Sequence, residues 1–199
     1  MDAIDSTETA HKAHDASDPF KSRAALLVSI LAMVLAITSL GGSNATKEAM
    51  HANIMASNTY AFYQAKNIRQ TDYKLAAEAL ELELLSGAAL PSAARERMSK
   101  TFEDYKKNIA RYESEPDTGE GRKELAARAK AAEAKRDRSL AAYHHYELAS
   151  AGVQIAIVMA SASIITGMTA LVWIAAGLGV FGVVFCGIGF FAPLAVHLF

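Results

Sequence analysis

Residues 149–199 read ASAGVQIAIVMASASIITGMTALVWIAAGLGVFGVVFCGIGFFAPLAVHLF and contain no Lys, Arg, Asp or Glu. A bilayer-spanning helix needs roughly 20 apolar residues, so this stretch is long enough to cross twice. A second uncharged run, Ala24 to Leu40, lies near the other end of the chain. The sequence therefore predicts an all-α membrane protein with three transmembrane helices. Between the first and second lies a charged segment of helical composition, rich in Ala, Glu, Lys, Leu and Arg.

Working outward, the closing stretch must hold two spans and a turn. Thr166-Gly167-Met168-Thr169 and Gly177-Leu178-Gly179 are the two candidate turns. The first is preferred, giving spans at 149–165 and 171–191 with Trp173 near an interface. The first span is 24–40, with the Gly41-Gly42 pair marking its end. Residues 1–23 form a polar tail with Asp2, Asp5, Glu8, Asp15 and Asp18 against Lys12, Lys21 and Arg23. So acidic a leader is unlike the short basic start of a signal peptide, which favours an uncleaved anchor.

Residues 43–148 are predicted to form an antiparallel, coiled-coil-like helical hairpin with its turn near 87–91. Ile54, Ala61, Ile68, Leu75 and Leu82 recur every seven residues, as expected of a seam facing a partner helix. Ala65, Ala76 and Ala79 thicken that face. After the Gly87 to Pro91 break, with Ser92 as N-cap, Met98, Phe102, Tyr105, Ile109 and Tyr112 follow the 4, 3, 4, 3 heptad spacing. Pro116-Asp117-Thr118-Gly119 reads as a turn. A last helix over 120–147 carries a weaker stripe at Leu125, Ala129, Ala132, Leu140 and Tyr143. At 1.5 Å per residue the outgoing arm reaches roughly 65 Å, and the returning pieces are long enough to lead back to the membrane.

Small residues stripe every span. Ala25, Ser29, Ala32 and Ala36 do so in the first, Gly152, Ala156, Ala160 and Ser163 in the second, and Ala175, Gly179, Gly182 and Gly189 in the third. Small residues let helices approach closely in lipid, so the spans are expected to pack on one another or on neighbouring copies. The spans hold no ionisable Lys, Arg, Asp or Glu, which argues against pumps and coupled transporters.

The composition narrows the chemistry. The formal net charge is −1, and a near-neutral middle segment argues against nucleic acid, which needs a basic face. The single cysteine, Cys186, excludes an internal disulfide and a cysteine-type zinc site. His144 and Glu147 share a helix face, and His51 could join them in a metal site. An interfacial polar cluster without metal is the preferred reading. No phosphate-binding loop, nucleophile elbow or His-Glu-x-x-His motif is present. The expectation is a non-enzyme with no cofactor and no metal.

The most distinctive stretch runs from Tyr60 through AFYQAKNIRQ to Gln70. Ala61, Ala65 and Ile68 are expected to face the hairpin partner. Phe62, Lys66, Arg69 and Tyr73 then form an aromatic and basic stripe, and Tyr63, Asn67 and Gln70 another, with Tyr60 beside them. Tyr, Phe and Arg dominate interface hot spots, so these residues are candidate partner contacts. Packing inside the hairpin with snorkelling bases is the alternative.

This stretch closely resembles the hallmark of a bacterial membrane family, domain of unknown function 4337. The layout is similar over about residues 24–191: one span, the motif, a charged helical middle and two closing spans. Tyr60 stands where family members usually have Trp, and the Thr166–Ala170 turn lacks the bases they often carry there. The family has no established activity, so the resemblance implies architecture rather than function. The functional expectation is an interaction or structural protein of the bacterial inner membrane. It would self-associate or serve as a subunit of a larger membrane complex. A small homo-oligomeric channel or sensor gated by the hairpin is the alternative. Lys21 and Arg23 before the first span place the N-terminus inside and the hairpin in the periplasm, whereas Lys135, Arg136 and Arg138 favour the opposite.

Overall fold

The computed structural model describes residues 19–86 and 90–196. Among these there are four α-helices and no strand: α1 (Pro19–Leu85), α2 (Ser92–Glu113), α3 (Arg122–Thr166) and α4 (Thr169–Phe191). Helices α1, α3 and α4 are each long and apolar enough to cross a membrane. The tail through Asp18, the Gly87–Ala89 part of the expected turn, and residues 197–199 lie outside the described residues. The described residues divide into two units, 19–49 with 137–196, and those between 50 and 136.

The first unit contains the apolar runs. Its core is Leu31, Val153, Ala156, Ala160 and Ala175, with Leu27, Val34, Ile157 and Leu178 packed around it. Small residues set how closely the helices meet. A Cβ at Gly179 would lie 2.6 Å from Leu31, and one at Gly182 would collide with Val153. The α3 stripe (Gly152, Ala156, Ala160, Ser163) and the α4 stripe (Ala175, Gly179, Gly182, Gly189) are buried. In the first span Ala25, Ser29, Ala32 and Ala36 are instead exposed; α1 buries Ala24, Leu31 and Thr38. Leu31 fills the space that Gly179 leaves empty, so a large residue on one helix meets a small one on the other.

Two helices run on past the limits of the apolar runs. Gly41 and Gly42 do not end a helix, because α1 runs unbroken through them. A glycine costs a helix roughly 1 kcal/mol, but Gly41 makes room for a neighbour. A Cβ at Gly41 would lie 2.7 Å from the Tyr146 ring. Likewise α3 continues from the charged segment through Thr166 without a break. The chain then turns at Gly167, whose φ is +70°, a conformation that glycine adopts without Cβ strain. Its N–H donates to the Ser163 carbonyl at 2.9 Å, closing α3. Gly177 and Gly179 lie within α4. At the far end of α4, the buried His145 places Nε2 3.1 Å from the Pro193 carbonyl, which ties the segment after α4 to α3.

In the second unit the outgoing part of α1 is met by α2 and by the start of α3, running antiparallel to it. Contacts pair Tyr73 with Tyr105 and Tyr112, Gln70 with Ile109, and Tyr60 with Glu133. From α2, Tyr112 is buried, and Met98, Phe102, Tyr105 and Ile109 are half-buried, on the face that the heptad spacing marks. From α3, Leu125 and Ala129 are buried. On α1 the expected orientation is reversed. Ile54, Ile68, Leu75 and Leu82 are 56%, 62%, 61% and 65% exposed, and Ala61 is exposed as well. The buried face is Ala52, Ala56, Lys66, Gln70 and Ala77, with Tyr60, Tyr63 and Tyr73 half-buried. Periodicity locates an apolar stripe without saying what covers it. Here the polar face goes inward with Tyr60, Tyr63, Lys66 and Gln70 each meeting a polar partner.

Candidate functional site

The turn after α2 assembles the polar side of the site. Glu115 carbonyl accepts from Gly119 N–H at 2.9 Å, and Gly119 has φ +67°. Glu124, in the first turn of α3, accepts from Ser114 Oγ at 2.6 Å and from Glu115 N–H at 3.2 Å. A carboxylate near a helix N-terminus is favourable because the unpaired N–H groups there carry partial positive charge. The Ser114 hydrogen bond, above all, holds the Glu124 carboxyl below its ordinary range. This turn brings Glu113, Glu115, Glu120 and Arg122 together opposite the distinctive stretch of α1.

Gln70 is the hub. Its side chain is almost fully buried. Its Nε2 donates to the Ile109 carbonyl and to Glu113 Oε2, both at 3.0 Å, and its Oε1 accepts from Arg122 Nη1. Arg122 also donates to Glu113 Oε2 at 3.1 Å and to the Tyr63 hydroxyl at 3.0 Å, with its guanidinium 5.2 Å from the Tyr63 ring centroid. Glu113 is held below the usual carboxylate range, first by the Gln70 hydrogen bond and then by Arg122. One turn before Gln70, Lys66 donates to Glu120 Oε2 at 3.3 Å and lies 3.9 Å from Glu115 Oε2. Its ammonium sits 5.3 Å from the centroids of both Phe62 and Tyr112. Tyr60 donates to Glu133 Oε2 at 3.1 Å. Its phenol is pushed up, first by removal from water and then by that carboxylate.

Of the eight residues singled out on α1, Tyr60, Tyr63, Lys66, Gln70 and Tyr73 are thus brought together against the chain's own returning helices. Phe62 and Arg69 are exposed and Asn67 is half-buried. Arg69 joins Asp72, Tyr73, Tyr105 and Tyr112 around an open groove of about 440 Å³. Sequence reasoning missed Glu113, Glu115, Glu120 and Arg122. The available signal was the Pro116–Gly119 turn, which obliges flanking residues to approach.

The network places bases beside acids and aromatic rings, an arrangement that fixes helices. It positions no nucleophile against a general base. Among the described residues no group of three or more His, Cys, Asp or Glu converges as a metal site. His144 Nδ1 lies 3.8 Å from Glu147 Oε2, one helical turn apart. Neither the curated proteins nor the solved structures provide a match. A family model, described as Domain of unknown function (DUF4337), matches residues 20–192. With that match covering most of the chain, the protein belongs to this family.

Proposed function

We propose that this chain is a non-enzymatic integral membrane protein that associates with copies of itself through the outer face of α1. The observation that carries the reading is the exposed seam of Ile54, Ala61, Ile68, Leu75 and Leu82, repeating every seven residues. An apolar ladder of this regularity suits a helix partner with the same repeat. Two copies in one bilayer share an orientation, so their α1 seams run parallel and in register. Removing each large aliphatic side chain from water would contribute on the order of 1 kcal/mol. Phe62 and Arg69, exposed beside the seam, are the members of the aromatic and basic stripe available to such a contact.

In this reading α1, α3 and α4 cross the bacterial inner membrane, and residues 50–136 project into the periplasm. Native mass after mild detergent extraction tests the association. A multiple of the 21.3 kDa chain, reduced to one copy by Ile68→Ser with Leu75→Ser, is expected. Stoichiometric foreign subunits would make the protein an accessory component instead. Ser92→Cys with Cys186→Ser tests the side of the membrane: labelling by an impermeant maleimide in intact cells is expected. Labelling only after lysis would place this region in the cytoplasm.

A further inference from the structure

We infer that a groove in the first unit, between α1 and α3, binds a primary ammonium group, the head group of an amine-bearing phospholipid. The inference rests on the membrane reading above. The groove has a volume of about 430 Å³, and Thr38, Thr46, Tyr143, Glu147, Ser150 and Gln154 are among the residues that line it. It straddles the limit of the apolar runs. Thr38, Ser150 and Gln154 belong to the predicted spans, whereas Thr46, Tyr143 and Glu147 lie just outside them.

The lining offers hydrogen-bond acceptors and one negative charge. It contains one carboxylate and no Lys, Arg or His. Thr38 Oγ1 donates to the Val34 carbonyl at 2.7 Å, and Thr46 Oγ1 donates to the Gly42 carbonyl at 3.0 Å. Each hydroxyl has one proton and two lone pairs. With the proton spent within α1, the half-buried Thr46 oxygen has only acceptance left to offer, while Thr38 is fully buried behind it. Tyr143 Oη lies 3.5 Å from Glu147 Oε1, and the other Glu147 oxygen faces His144 Nδ1 at 3.8 Å. Tyr143 and Tyr146 add aromatic rings to the lining, and such rings attract cations. Polar groups at the edge of lipid are costly without partners.

A primary ammonium supplies three N–H donors and a positive charge in one compact group. It matches a site with one carboxylate, hydroxyl acceptors and aromatic rings. A quaternary ammonium carries the charge without the donors and satisfies only part of the lining. A bare phosphate meets no cation there.

The test uses the full chain in nanodiscs containing equal dioleoyl-phosphatidylethanolamine and dioleoyl-phosphatidylcholine, with retained lipid read by native mass spectrometry. The expected result is roughly tenfold preference for the ethanolamine lipid, as a charge-assisted hydrogen bond provides. Glu147→Gln and Thr46→Val should each reduce it several-fold. A parallel arm adds free ethanolamine in detergent. Displacement of the retained lipid supports the head group as the ligand. Binding of the free amine without any lipid preference assigns the site to a soluble amine and overturns the lipid. Insertion with equal retention of both lipids, unchanged by Glu147→Gln, overturns the site. Failure to enter nanodiscs overturns the membrane reading and this inference with it.

Discussion

Each of the two units is packed internally by its own chemistry, and the two chemistries are opposite. In residues 19–49 and 137–196 the contacts are made by the absence of side chains: Gly179 admits Leu31, Gly182 admits Val153, and Gly41 admits Tyr146. In residues 50–136 they are made by long polar and aromatic side chains meeting one another: Gln70 with Glu113 and Arg122, and Lys66 with Glu120. The difference follows from the solvent each composition suits. Lipid tails are as apolar as Leu, so apolar burial gains little there and close contact decides packing. In water a charged helix pair gains specificity from paired heads, and unpaired buried ones are expensive.

The comparison breaks most severely where a side chain is forced into a space kept empty. Gly182→Leu should cost about 3 kcal/mol through overpacking, measured as loss of thermal stability in detergent. Gly177→Leu is the control, because nothing lies within 4 Å of a Cβ there, and it should be nearly silent. In the other unit, Gln70→Leu should cost about 2 kcal/mol. It leaves Arg122 and Glu113 without their buried partner. Faster hydrogen exchange confined to residues 50–136 is the expected signature.

Acid should distinguish the units next. The folded-state pKa of Glu113 lies below its ordinary 4.5. Its contribution to stability is therefore present above 4.5 and lost as pH falls through the folded value. Glu124, lowered mainly by its Ser114 hydrogen bond, acts in the same direction. Exchange protection in residues 50–136 should fall between pH 5 and the acid limit, and Gln70→Leu should flatten that dependence. The smallest effect on the folded monomer belongs to the outer face. Leu75→Ser should change its stability by no more than about 0.5 kcal/mol, since that side chain is 61% exposed, while lowering self-association.

The helical class was legible because charge-free runs and apolar periodicity depend on local composition alone. The turn at Gly167 was legible for the same reason. The inward face of α1 was not. Hydrophobicity points Ile68 and Leu75 inward, and only the partners of Lys66 and Gln70, supplied from Ile109 to Arg122, turn the helix round. Those partners are tens of residues away in the chain and become visible once the Pro116–Gly119 turn is folded. Gly41-Gly42 reads as a break for want of Tyr146, which fills the space beside it from α3. The motif from Tyr60 to Gln70 was recognisable as distinctive, and packing inside the hairpin was one of its two readings, but which residues it meets depends on that distant segment.

Disulfide trapping in native membranes tests the outer-face claim most directly. Single cysteines are placed at Ile68 on the exposed seam and at Gln70 on the inward face, each with Cys186→Ser. Bridging requires Cα atoms within about 7 Å. Self-association through parallel α1 seams predicts rapid dimer formation from Ile68→Cys and none from Gln70→Cys. Absence of a dimer at Ile68 and at its seam neighbours Ala61 and Leu75, with the protein intact in the membrane, would contradict it.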